Sequence, residues 1–124
     1  MEFKIDTKDA FTTIMPAKSA ISAKLTDELA LKMKEMRQSG SANFVIDLRE
    51  CDTIDEGGIG GLAAIHEDSY GAGQSLVLTG ICSAVMATLK QNGGADMLNI
   101  APTMVEAVDI ISMEILERDL LSEE

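Results

Sequence analysis

The sequence predicts an α/β fold: a mixed β-sheet of about four to five strands with about four α-helices packed on it. Three observations carry this expectation. The first fifteen residues alternate apolar and polar side chains with period two, as a hairpin does. After them, helical periodicity and short apolar runs follow one another in turn, the pattern of strands joined through helices. Finally, 124 residues suffice to bury one core without disulfides or metals. Residues 1–124 read as one domain, with no internal repeat and no linker.

The elements follow in order. Phe3, Ile5 and Thr7 alternate with Lys4 and Asp6, and Lys8-Asp9-Ala10 turns the chain into Phe11-Thr12-Thr13-Ile14-Met15. Pro16 has no N–H for a ladder, so the second strand ends there or reaches an edge. A short extended piece resumes near Ala20-Ile21. Ser22 caps a helix reaching about Ser39, with Leu25, Leu29, Met33 and Met36 on one face and Lys24, Lys32, Lys34 and Arg37 on the other; Gly40 stops it. Phe44-Val45-Ile46-Asp47-Leu48 is too apolar to be exposed on both faces and reads as an internal strand. An acidic connection leads to Glu56-Gly57-Gly58-Ile59-Gly60-Gly61 and a helix through Leu62, Ile65 and His66, ended by Gly71-Ala72-Gly73. Ser75 to Thr79 is a strand, Ser83 caps a helix closed by Asn92-Gly93-Gly94, and Met97 to Ile100 is a short final strand. Thr103 and Glu106 form a capping box for a last helix with Met104, Val108, Ile111 and Ile115 on one stripe. Residues 114–124, five acids against one Arg, read as a fraying acidic tail.

Composition excludes several classes. A net charge of −11 argues against nucleic acid and against an anionic membrane surface. The acids are concentrated late: residues 1–46 hold seven Lys/Arg and six Asp/Glu, residues 47–124 three and fifteen, which favours a basic partner. Aromatics are scarce at 3%, so Ile, Leu, Val, Ala and eight Met must build the core. Cys51 and Cys82 lack metal or redox spacing and read as ordinary thiols. With no secretory leader and no long apolar run, the expected location is the cytoplasm.

The residues offer little catalytic chemistry. His66 is the single histidine, without Cys or His at ligand spacing, so no metal is expected. The acidic run Glu50, Asp52, Asp55 and Glu56 reads as a solvated loop, and no catalysis is expected from it. Gly58-Ile59-Gly60-Gly61-Leu62-Ala63 matches the letters of a dinucleotide fingerprint, G-x-G-x-x-A. The connection before it is too long for the tight turn that fingerprint needs, a ribose-binding acid is missing, and Glu56 would repel a pyrophosphate. No cofactor is expected. A helix start does favour negative charge, so Asp55 as its cap and Glu56 in its first turn suit it, as a phosphoserine would more strongly. On physics alone the glycines serve either as an anion cradle or for close packing.

The motif resembles the STAS domain in its bacterial anti-sigma-factor-antagonist form: an apolar strand ending in Asp-Leu, six residues, then Asp-Ser-Ser-Gly-Leu-Gly. Here the chain reads Ile46-Asp47-Leu48, six residues, then Asp55-Glu56-Gly57-Gly58-Ile59-Gly60. The match runs on through Gly73, the strand Leu76-Val77-Leu78, Ala84-Val85, Gly93 and the helix start at Thr103 to Ala107. The resemblance implies a single STAS domain that binds a GHKL-type serine kinase acting as an anti-sigma factor, with a cognate phosphatase resetting the switch. It implies that Glu56 occupies the phosphoacceptor position. Asp55, Gly57, Gly58, Ile59 and Gly60 would then form the switch loop and partner surface. Stand-alone members also control other outputs, biofilm formation among them. Glu56 has no hydroxyl. Either it is the chain's own permanent charge, in a fixed assembly or ligand-sensing module, or it stands in place of a serine as a phosphomimetic.

Overall fold

The structure, a computed structural model, describes residues 2–122. Strands β1 (Phe3–Thr7) and β2 (Thr12–Pro16) form the expected antiparallel hairpin, with Ile5 opposite Ile14. β3 (Ala20–Ile21) precedes helix α1 (Ala23–Gln38), then come β4 (Phe44–Asp47), β5 (Thr53–Ile54), α2 (Glu56–Gly71), β6 (Leu76–Thr79), α3 (Ser83–Gln91) and α4 (Met104–Ser122). The main sheet has the order β1-β2-β4-β6, with β2, β4 and β6 parallel. All four residues of β4 are buried, as an internal strand requires. Pro16 ends β2, whose ladder to β4 covers only Thr12 to Ile14.

Period two distributes the sheet's side chains to opposite faces. Ile14, Phe44, Ile46, Leu76 and Leu78 join Leu25, Leu29 and Met33 of α1, Leu62 and Ile65 of α2, and Val85 and Leu89 of α3 in the larger core. Val45 and Val77 point the other way, onto Ala107 and Ile111 of α4. The sheet is therefore sandwiched, with α4 on the face opposite α1 and α2.

Three local expectations change. The final strand shrinks to one rung: Gly93 takes φ 72°, residues Gly94–Met97 form a 3₁₀ turn, and only Ile100 bridges Leu78. The 3₁₀ turn takes up Met97 on one side, and Pro102, with no N–H, stops the ladder on the other. Ser83 lies one position inside α3; the capping position belongs to Cys82, which makes no side-chain capping bond. The acidic tail is not loose at Glu114, because α4 continues through Ser122 and Glu114 accepts hydrogen bonds from Tyr70 (2.8 Å) and Ser75 (2.6 Å). Residues 123–124 of that expected tail lie outside the described residues.

Candidate functional site

The loop from Leu48 to Asp55 leaves the carboxyl end of a central parallel strand, where ligand and partner sites of α/β sheets gather. It is pinned at both ends. At its start, Asp47 is 3% exposed yet bonded: Arg49 donates from its Nε at 2.8 Å, pairs through Nη2 at 2.6 Å, and gives its backbone N–H at 3.1 Å. The Asp47 carboxylate holds the exposed Arg49 guanidinium more firmly protonated than usual. Gly80, at φ 73°, passes so close to Asp47 Oδ1 that a Cβ there would collide with it.

Farther on, β5 pairs in parallel with β3, and Asp52 and Thr53 donate backbone N–H groups to Ser19 O at 2.7 and 3.1 Å. This brings the starts of α1 and α2 side by side. Ser22 caps α1 by accepting from Leu25 N at 3.2 Å, and Asp55 caps α2 by accepting from Gly58 N at 2.8 Å. Both caps are the ones the sequence predicts. Replacing Asp55 with Ala should therefore lower stability by about 1 kcal/mol, read as an earlier urea midpoint at unchanged slope. No change would mean that water satisfies Gly58 N equally well.

Glu56 is the first helical residue of α2 and is exposed, with Asp55, Gly57 and Gly60 exposed beside it. Its negative charge suits the positive end of the helix. Gly58 and Ile59, in contrast, are buried and offer a partner no surface of their own.

The glycines resolve in favour of packing. A Cβ on Gly57 would press on Ala23 Cβ at 3.0 Å, one on Gly58 would strike the backbone of Ile21, and one on Gly61 the side chain of Thr26. Only Gly60 faces open space. The bare side of the helix is how α2 settles against β3 and α1. The amide of Gly58 is already engaged by Asp55, so the run is not an open anion cradle.

Cys51 sits buried in the same loop. Burial, then the charges of Asp52, Cys82, Glu50 and Asp47, pushes its thiol up from the ordinary 9.0 to about 11. The folded state thus prefers the protonated thiol. That contribution to stability is complete below pH 9 and is lost as pH rises toward 11. A Cys51→Ala variant should show a flatter fall in urea midpoint across this alkaline range. An identical fall in both proteins would remove Cys51 as its source.

Among the described residues, no cluster of His, Cys, Asp and Glu could hold a metal ion, and no helix is long and apolar enough to cross a membrane. His66 is half-buried, its ring 4.7 Å from that of Tyr70. Sequence reasoning missed three polar side chains that shape the molecule. Arg37, expected on the solvent side of α1, instead donates to Gln74 Oε1 (2.8 Å) and Ser69 Oγ (2.9 Å) and lies over the Phe44 ring. Burial lowers its pKa, opposed by the charge of Asp68. Tyr70 and Glu114 meet across 44 residues of sequence. Their partners come from distant segments, so no local spacing announces them.

The STAS family model matches residues 3–107, and the chain belongs to the STAS domain family. No curated protein matches the chain significantly. Among solved structures, the chain is similar to a putative anti-sigma factor antagonist, TM1081 of Thermotoga maritima, at 17% identity and TM-score 0.75, covering 89% of this chain and 94% of that one. It is also similar to RsbS of Moorella thermoacetica in a serine-to-glutamate form, at 20% identity and TM-score 0.73, covering 95% and 99%. A third relative is the anti-sigma factor antagonist SpoIIAA in its unphosphorylated form, at 12% identity and TM-score 0.68, covering 90% and 96%. At these identities the likeness establishes the fold.

Proposed function

We propose that the protein is a non-catalytic, cytoplasmic regulator that works by reversible protein–protein binding. Its partner is a GHKL-type serine kinase acting as an anti-sigma factor; with a serine at position 56, phosphorylation there, undone by a cognate phosphatase, switches the two apart, and Glu56 holds that position as a phosphomimetic or non-switchable residue. The observation that carries this reading is the exposed carboxylate of Glu56 at the first residue of α2, on a loop tied down at both ends. That is where the motif resemblance puts a phosphoacceptor serine. A phosphate would gain from the same helix end, with about −1.5 to −2 charges against one for glutamate. Several solved relatives described as anti-sigma factor antagonists support the regulatory class. The contact surface would comprise the exposed Asp55, Glu56, Gly57 and Gly60, with the buried Gly58 and Ile59 setting the loop's shape.

Replacing Glu56 with Ser should produce a substrate. Incubated with ATP and GHKL-type kinases, the Ser variant is expected to gain one phosphate by intact mass, and the Glu and Ala forms none at this position. If no such kinase modifies the Ser variant, the switch fails. Capture on the same kinase should be strong for Ser and Ala and weakened for Glu; equal capture of all three would reduce position 56 to a helix start. One observation favours a second reading. Glu56 itself cannot accept phosphate, so the chain as it stands would serve as a fixed assembly or ligand-sensing module, or would hold a non-sigma output such as biofilm formation in one state.

A further inference from the structure

Helix α4 has two apolar sides. Its inner side, centred on Ala107 and Ile111, packs on Val45 and Val77. Leu116 follows Ala107 by nine residues, about two and a half turns, and so points the opposite way. Val105, Met113 and Leu120 fall within about a sixth of a turn of Leu116, so the four form an outer ridge. Each is between 58% and 70% exposed. Of seven large apolar side chains exposed among the described residues, five lie on this one helix, Leu121 being the fifth. Scattered exposed apolar residues are ordinary, whereas Met113, Leu116 and Leu120, grouped on one side of one helix, mark a contact surface.

The charge around the ridge identifies what it takes. Asp109 lies within it, between Val105 and Met113, while Glu106, Glu117 and Asp119 flank it, all exposed. Arg118 turns inward to Asn43 Oδ1 at 3.1 Å, and the last turn has no basic residue to offset the negative end of the helix. A second copy of the chain would bring these acids against one another, and an anionic bilayer would be repelled. We propose that the outer ridge of α4 docks a basic amphipathic helix of a partner protein, apolar side to apolar side with Lys or Arg meeting the flanking carboxylates. The ridge lies on the face of the sheet opposite α2, so it is separate from the Glu56 loop and does not rest on the switch reading.

The test uses the full ¹⁵N-labelled chain and a synthetic amphipathic Leu/Lys helix, with a Leu/Glu helix and a non-amphipathic Leu/Lys scramble as controls. The amphipathic Leu/Lys peptide should shift the amides of residues 105–121, bind more weakly as salt rises, and exceed both controls by at least ~tenfold. The double variant Leu116→Gln, Leu120→Gln keeps the net charge and the helix propensity, and should weaken binding by at least ~tenfold with an unchanged thermal midpoint. Shifts confined to residues 50–56, or equal affinity in the double variant, would mean attraction by charge alone and overturn the proposal. So would a dimer in sedimentation that the double variant disperses, because the occupant would then be a second copy. Binding to phosphatidylserine vesicles through the same residues would overturn it as well.

Discussion

Gly58→Ala is expected to cost about 3 kcal/mol or more, while Gly60→Ala, two residues away on the same helix, should stabilise the protein by about 0.5–1 kcal/mol. Propensity alone would make every alanine in this helix favourable. At Gly58 the added methyl meets Ile21 O, and lies 2.7 Å from Ile21 C; this is strand backbone held by pairing with β5, so it cannot swing aside. At Gly61 it meets Thr26, whose Oγ1 is committed to Ala23 O at 3.0 Å and whose Cβ would lie 2.5 Å away. Gly61→Ala should therefore also destabilise, somewhat less than Gly58→Ala, because a side chain gives way more easily than backbone. At Gly60 nothing lies within 4 Å. Urea unfolding of the three single variants reads all three effects as shifts in midpoint. Three similar stabilisations would show that the glycines are not where α2 packs. The consequence for function is direct: position 56 is held in place because the glycines let the first turns of α2 touch β3 and α1.

Glu114→Ala should lower stability by about 2 kcal/mol, and Glu114→Gln by roughly half as much. Glu114 accepts from Tyr70 Oη, from Ser75 Oγ and, at 3.3 Å, from Asn99 Nδ2, so it links α4 to the end of α2 and the start of β6. A tyrosine hydroxyl has one hydrogen. When it goes to Glu114, Tyr70 Oη can still accept from Asn99 at 2.9 Å, and the alternative acceptor is Leu76 O at 3.2 Å. Alanine leaves the Ser75 hydroxyl without its acceptor and turns Tyr70 to the longer bond with Leu76 O, whereas glutamine keeps one acceptor oxygen without the charge. A Glu114→Ala midpoint within ~0.5 kcal/mol of the parent would restore the loose acidic end that composition suggests. Burial also raises the Tyr70 pKa above its ordinary 10.0, helped by Glu114 and opposed by Asn99. Its contribution is therefore whole below pH 10 and fades as pH rises past it, which Tyr70→Phe should remove.

Much of the fold was legible because its signals are local. Period-two alternation marked the hairpin, and 3.6-residue periodicity placed Leu25, Leu29 and Met33 in the core. Ser22, Asp55 and Thr103 were readable as caps because each bonds an amide three residues on. The strand from Met97 to Ile100 was misjudged for the complementary reason. A four-residue apolar run cannot say whether a neighbour has room for its ladder, and here Leu78 accepts only one rung.

The sequence by itself determined the order of the hairpin, the helices and the two buried strands, the caps of α1, α2 and α4, and the placing of a negative residue at the start of α2. Only the tertiary structure decided which glycines are indispensable, that Arg37 serves Ser69 and Gln74, that Glu114 is an anchor, and that α4 turns an apolar ridge outward. The physical reason is reach. Caps and periodicity act over three or four residues of one chain segment, whereas a missing Cβ, a shared carboxylate or an uncovered helix side acquires meaning only from what the fold brings against it.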